Sequence, residues 1–174
     1  MYCQAAIHST ETPAVNVLIL AHYHNHFSML DMTSKTVEST STRAFLRLLA
    51  VEPMQRIDLV RKGLPASAVQ SAADYMVMSQ KDLLSAIRIP VSTLTLRTRS
   101  RKPLSPEESD KLIRLAEAVK RAIAVFGKGA EGKAWLNEPI VSLGGRRPVD
   151  LLDTQDGFDL VMRTLGRIQF GAPA

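Results

Sequence analysis

Only a few residues of this chain have types and spacings that could do chemistry, and most of them lie near the N-terminus. The 174 residues include one Cys, Cys3, and four His, of which His22, His24 and His26 alternate along the chain. On a strand these three side chains would share one face, which could bind a metal ion. No carboxylate or Cys stands nearby to complete such a site. We therefore interpret residues 1–40 as a flexible N-terminal tail.

Candidates for catalysis are sparse in the rest of the chain. Glu107 and Glu108 could form a carboxylate pair, but adjacent residues on a helix point apart, and a helix-capping role explains both. A glycine-rich phosphate loop, a GxSxG nucleophile elbow and an HExxH zinc motif are all absent from the sequence. The sequence therefore predicts a protein that is not an enzyme and that has no metal site and no cofactor.

The cysteine count and the hydropathy pattern bear on the compartment. A single Cys cannot form an internal disulfide, which favours a reducing environment. The longest apolar run, residues 17–21, is too short to cross a bilayer. We expect a cytoplasmic protein without membrane contact. Met29 and Met32 are plausible alternative start sites, so we also expect part of the tail to come from an over-long reading frame.

Positive charge is concentrated in one segment. The formal net charge is +5, and residues 83–106 contain no Asp or Glu. The cations in this segment are Arg88, Arg97, Arg99, Arg101 and Lys102. Such an excess suits a phosphate backbone, although a solvated basic face would have the same composition.

The elements around this segment have the pattern of a helix-turn-helix. Ser79 and Asp82 have the spacing of a capping box, which predicts a helix with Leu83 and Leu84 inward. Residues 88–90 break that helix, and residues 91–98 can form another. Two short helices joined by a tight turn, with other helices beside them, are typical of a DNA-binding helix-turn-helix.

The second helix of this pair has an unusual outer face. Its outward positions hold Val91, Ser92, Thr95 and Leu96, whereas major-groove readers are usually Arg, Asn or Gln. The alternative is a helical packing module that keeps the shape and binds DNA weakly. If DNA binds, we expect the cations to contact phosphates and Ser92 and Thr95 to give a modest base preference. The predicted DNA-binding residues are Lys81, Ser92, Thr95, Arg97, Arg99, Arg101 and Lys102.

A second capping box predicts the longest helix. Ser105, followed by Pro106 and by Glu108 three residues on, begins a helix that runs to about residue 126. Its apolar stripe and the Trp135 region carry more apolar surface than one small domain easily covers, which predicts a dimer. The predicted dimerisation residues are Leu112, Leu115, Val119, Phe126 and Trp135.

The C-terminal third alternates apolar residues with Gly, Pro and capping residues. Thr154 caps a last helix, and Gly166 within it costs about 1 kcal/mol relative to Ala, so it needs a packing reason such as the close approach of another chain. Ile168 and Phe170 stand at the end of the chain, where an internal core has little left to cover. This segment contains no His and no Cys, so the usual catalytic pairs and soft-metal sites are missing from it. We therefore interpret it as a surface that binds a partner.

Four segments carry a resemblance to a known family. Residues 61–66 (RKGLPA), 104–109 (LSPEES), 125–127 (VFG) and the C-terminal block from residue 134 occur in the order found in Xre-type antitoxins, the partners of RES-domain toxins. The resemblance covers roughly residues 57–171, which is more than half of the chain. The resemblance implies an all-α fold with an Xre-like helix-turn-helix domain at residues 41–103 and a C-terminal antitoxin domain at residues 104–174.

The resemblance also implies a function and partners. We expect an antitoxin whose partner is a RES-domain toxin that degrades NAD. The antitoxin would neutralise this toxin, form a homodimer, and repress its own operon by binding operator DNA. The alternative is a stand-alone transcription regulator whose C-terminal domain senses something else. The predicted toxin-binding residues are Gly144, Gly145, Arg146, Arg147, Leu151, Phe158, Gly166, Arg167, Ile168, Phe170 and Gly171.

Overall fold

The computed structural model describes residues 40–171, with side chains from Thr42 onward, and it confirms the all-α prediction. The alternating His and the start-site prediction lie outside the described residues. The helices are α1 (Thr40–Leu49), α2 (Pro53–Lys62), α3 (Ser67–Met76), α4 (Gln80–Ala86), α5 (Val91–Arg99), α6 (Pro106–Phe126), α7 (Gly129–Asn137) and α8 (Gln155–Gln169). Two 3-10 turns, Val141–Leu143 and Pro148–Leu151, lie between α7 and α8.

Helix α6 is the centre of the described region. Helices α1, α2, α7 and α8 all pack against it. Its N-terminus is held by the predicted capping box: Ser105 Oγ accepts a hydrogen bond from the Glu108 N–H, and Glu108 Oε2 accepts one from the Ser105 N–H. The Ser105 side chain also holds the pKa of Glu107 below its usual value. The cap therefore explains both carboxylates without catalysis.

Helix α1 covers one side of this core, and α2 is more peripheral. Phe45 is fully buried, and its ring centroid lies 5.3 Å from that of Tyr75 on α3. Lys133 Nζ lies 4.8 Å from the centroid of the same Tyr75 ring, and partial burial lowers the pKa of Lys133. On α2, the side chain of Ile57 is 44% exposed.

The junction between α2 and α3 depends on a glycine. Gly63 has φ 82°, and its N–H donates to the carbonyls of Leu59 and Val60 at the end of α2. A Cβ at this position would lie only 2.3 Å from the Leu104 carbonyl oxygen. The space is that tight because the Leu104 N–H donates to the Leu64 carbonyl at 2.8 Å. This contact ties the loop before α3 to the loop that leads into α6.

The helix-turn-helix consists of α4 and α5, with α3 packed beside α4. Ser79 Oγ accepts a hydrogen bond from the Asp82 N–H at 3.0 Å, as the sequence predicts. Arg88 in the turn has φ 53°, a left-handed conformation that most side chains avoid. Lys111 of α6 donates to the Arg88 carbonyl at 3.0 Å and holds the turn against the core. Leu83, Leu84, Ile87 and Leu94 fill the space between the helices.

Candidate functional site

The outer face of α5, which we define as Val91, Ser92, Thr95 and Leu96, is fully open to solvent. All four side chains are exposed, with Val91 at 52% and Leu96 at 67%, whereas Leu94 on the opposite side is buried. Thr95 Oγ1 donates a hydrogen bond to the Val91 carbonyl at 2.9 Å. The face is therefore mostly apolar, and one of its two hydroxyls already uses its proton within the helix.

Four of the predicted phosphate-binding cations are exposed on α4, on α5 and just after α5: Lys81, Arg99, Arg101 and Lys102. Arg88 in the turn is exposed as well, although the sequence analysis did not include it among the DNA contacts. Its membership of the same acid-free segment could have indicated it. These five exposed cations, which we call the positive rim, give the α4–α5 region a basic surface.

Arg97 has a different environment from the one expected. Its Nε lies 2.8 Å from Glu108 Oε2, and its Nη1 donates to the Pro103 carbonyl at 3.1 Å. The guanidinium therefore joins the end of α5 to the N-terminal cap of α6. We correct its assignment as a free phosphate contact, because reaching DNA would cost these bonds. The sequence could not reveal this, since Glu108 lies eleven residues away.

The second candidate surface begins at a tight turn in the C-terminal part. The Ile140 N–H donates to the Arg146 carbonyl, and the Gly145 N–H donates to the Ile140 carbonyl. Gly144 and Gly145 have φ of 68° and 71°, which glycine adopts without strain. Arg146, which pairs with Ile140 at the base of this turn, is exposed.

Arg147 points back into its own chain, not outward as expected. Its guanidinium donates to both carboxylate oxygens of Asp150, at 2.9 and 2.8 Å, and to both of Asp82 on α4, at 3.2 and 3.1 Å. These two carboxylates raise the pKa of Arg147, with Asp150 as the larger cause. Arg147 thus links the C-terminal turn to the first helix of the helix-turn-helix, and we correct its assignment as a toxin contact.

The outer stripe of α8 presents apolar and basic groups together. We define the terminal face as Leu160, Arg163, Arg167 and Phe170, which are spaced three or four residues apart and therefore share one side of the helix. All four are exposed, and Phe170 is the most exposed aromatic side chain of the described residues, at 83%. Leu160 and Arg163 were not predicted, although their spacing from Arg167 was visible in the sequence.

The other predicted toxin-binding residues divide into two groups. Gly166 adjoins the terminal face, and a Cβ built there would meet no atom within 4 Å, so the described chain gives no packing reason for this glycine. Gly171 is also exposed. Leu151, Phe158 and Ile168 are only partly exposed, because they pack against the core.

The predicted dimerisation residues lie inside the chain's own core. Leu112, Leu115 and Val119 are completely buried, and Trp135 is 4% exposed. Phe126 is half-buried and packs on Trp135, with 5.9 Å between the ring centroids. We correct this assignment, because α1, α7 and α8 of the same chain cover the α6 stripe. Exposed large apolar side chains occur elsewhere, as at Met54 on α2, which is 73% exposed.

Residues 40–171 have neither metal-binding nor membrane-spanning features. No group of three or more His, Cys, Asp or Glu side chains in this part of the chain could hold a metal ion. No helix among the same residues is long and apolar enough to cross a membrane.

Two family models match the chain. The antitoxin Xre-like helix-turn-helix domain matches residues 55–117, and the antitoxin Xre/MbcA/ParS C-terminal toxin-binding domain matches residues 121–171. The first match contains the whole α4–α5 surface. The second contains both the tight turn and the terminal face.

Several antitoxins are similar over most of the chain. The chain is 30% identical over 144 residues to the Prs ADP-ribosylating antitoxin of Sphingobium sp. (strain YBL2), covering 78% of this chain and 91% of that protein. It is 32% identical over 139 residues to the antitoxin Xre of Yersinia enterocolitica, covering 76% and 93%. It is 34% identical over 105 residues to the antitoxin Xre of Pseudomonas putida, covering 58% and 66%.

Proposed function

We propose that this chain, which belongs to the Xre/MbcA/ParS family of antitoxins, neutralises a RES-domain toxin that degrades NAD. We further propose that it binds operator DNA through α4 and α5 and represses the operon that encodes the pair. Because NAD and operator DNA are both cytoplasmic, the proposal locates the protein in the cytoplasm. The observation that carries it is the exposed terminal face within the segment that matches a toxin-binding domain.

The chemistry of the terminal face suits a pocket that binds a nucleotide. Arg167 offers a planar fork of donors that fits a carboxylate or a phosphate. Phe170 is exposed and apolar, and its burial at an interface could contribute on the order of 2–3 kcal/mol. Gly166 leaves room for a partner backbone to come close. We propose that this end of the chain caps the toxin's NAD pocket and that the turn at Gly144–Arg146 braces it.

One relative supports a toxin that uses NAD. The antitoxin of Sphingobium is named for the ADP-ribosylation of Prs. ADP-ribosyl transfer and NAD degradation both break the bond between nicotinamide and ribose, so a toxin of either kind needs a pocket for the same anionic dinucleotide. The basic charge of the terminal face complements such a ligand.

The test is co-expression with the RES-domain protein encoded beside the gene. The full chain should co-purify with that protein and prevent its loss of cellular NAD. A chain that ends after Leu165 should keep its fold by circular dichroism, because Val161 and Leu165 stay in the core, and it should no longer protect. Phe170→Ser should weaken protection without truncation, whereas Met54→Ser, a change at a similarly exposed apolar side chain on α2, should not.

Two results would contradict the proposal in different ways. Absence of a RES-domain partner, or a purified mixture that does not associate, would remove the toxin assignment and favour the stand-alone regulator. Full protection by the folded chain that ends after Leu165 would leave the antitoxin function intact but would exclude the terminal face as the neutralising element.

A further inference from the structure

We propose that the outer face of α5 recognises thymine methyl groups in the major groove, so that the preferred DNA sites are rich in thymine beneath this helix. This inference rests on the DNA-binding part of the proposed function and specifies its ligand. The 5-methyl group of thymine is the one apolar group that an ordinary base pair presents in the major groove. An apolar recognition face can therefore discriminate bases only through it.

The outer face of α5 exposes two large apolar side chains and two hydroxyls. Val91, Ser92, Thr95 and Leu96 cover an arc of about 140° on α5, at about 100° per residue. Val91 and Ser92 begin the helix, where a recognition helix contacts base edges, and Thr95 and Leu96 follow one turn later. Arg99, the last residue of the helix, falls within the same arc and is its one side chain that could fork onto a guanine. Val91 and Leu96 are the two large apolar side chains of the face.

Polar readout by this face is limited. The Thr95 hydroxyl donates to the Val91 carbonyl, so its proton is occupied and its methyl group remains for contact. Ser92 is then the one hydroxyl of the face whose proton no helix carbonyl accepts in the described structure.

The nearby cations leave few competitors for a base contact. Arg97 is held by Glu108 and the Pro103 carbonyl, so it does not reach toward a base. Lys81, Arg101 and Lys102 lie outside α5 and are exposed, and phosphate contacts by such residues carry no sequence information. Arg99, on the same arc of α5, is the strongest competitor, and Arg88 in the turn is exposed as well. We therefore assign the sequence preference to the apolar face and test it against these two arginines.

A selection experiment separates these two sources. The full chain is used to select from two random-sequence duplex libraries, one copied with dTTP and one with dUTP. Deoxyuridine keeps every hydrogen-bonding group of thymine and lacks only the methyl. We expect enrichment of thymine at defined positions in the first library and loss of that enrichment in the second. In the winning duplex, each single dT→dU change should weaken binding by roughly fourfold where a methyl is buried.

Protein variants then locate the contact. Val91→Ser and Leu96→Ser are exposed changes, so both chains should fold, and each should reduce the difference between the dT and dU duplexes. Val141→Ser, an exposed apolar change far along the sequence in the C-terminal part, should leave that difference unchanged. Replacing dC by 5-methyl-dC beneath the helix should restore part of the binding of a weak duplex.

The possible failures are distinguishable. Selection of guanine positions that depend on Arg99, with no effect of deoxyuridine, would overturn the inference and leave DNA binding in place. Absence of binding to either library at low salt would overturn the DNA-binding function and this inference together. Neither result would bear on neutralisation of the toxin.

Discussion

Arg147 is one of the residues that join the two matched segments of the chain. It donates to Asp82 on α4 and to Asp150 beside the C-terminal turn, and its side chain is 29% exposed. Hydrogen bonds to charged groups contribute more than neutral ones, and partial exposure reduces the gain. We predict that Arg147→Ala lowers the free energy of unfolding by about 1 to 2 kcal/mol, measured by urea denaturation.

The neighbouring Arg146 supplies the matched control for this change. Arg146 is exposed, so Arg146→Ala should alter the free energy of unfolding by no more than about 0.5 kcal/mol. Added salt should reduce the gap between the two variants, because it screens the Arg147 ion pairs. Equal stability of the two variants would show that the link through Asp82 contributes nothing.

Gly63 and Gly166 are two glycines with opposite requirements. Gly63 has positive φ and no space for a Cβ, whereas Gly166 lies in α8 with open space around it. We predict that Gly63→Ala destabilises the protein by about 2 kcal/mol or more. Alanine is strained at this positive φ, and its Cβ would clash with the Leu104 carbonyl oxygen. Thermal unfolding of the two alanine variants, side by side, measures the difference.

At the scale of helices, local features were predictable from the sequence and long-range ones were not. The Ser79 and Ser105 caps and the turn at Arg88 depend on residues within a few positions of one another, and all three are present. Asp82, one of the two partners of Arg147, lies 65 residues away, so no local pattern indicates it. The covering of the α6 stripe likewise depends on how α7 and α8 fold back.

Helix α8 provides a test in which stability and binding should move in opposite directions. Gly166→Ala should stabilise the isolated chain by up to about 1 kcal/mol, because alanine favours a helix and nothing obstructs its methyl group. If a toxin backbone approaches this point, the same change should weaken the complex. Calorimetry with the toxin measures the second effect. An unchanged affinity for the toxin would show that Gly166 is not at the interface.

At the scale of the molecule, dimerisation remains a prediction, but its proposed location has changed. Leu112, Leu115, Val119 and Trp135 cannot form a surface between copies, because they fill the chain's own core. Sedimentation at micromolar concentration should still show a species above monomer mass, since two helix-turn-helix units reading two half-sites need a dimer. A monomer under these conditions would contradict it.

The charge distribution of the whole molecule leads to a last prediction about DNA. Arg99 and Arg101 are exposed on the rim of the α4–α5 surface, whereas Arg163 is exposed on the terminal face. Each phosphate contact releases counterions and contributes about 0.9 to the slope of log K against log salt on duplex DNA. The double change Arg99→Ala, Arg101→Ala should therefore weaken binding to all sequences and reduce that slope by about 2, if each cation contacts one phosphate.

Arg163→Ala, the matched control, should leave both the affinity for DNA and the slope unchanged while it weakens the toxin complex. A double variant that kept the original slope but changed its preferred sequence would show that these arginines contact bases, and the separation between a positive rim and an apolar reading face would then be wrong.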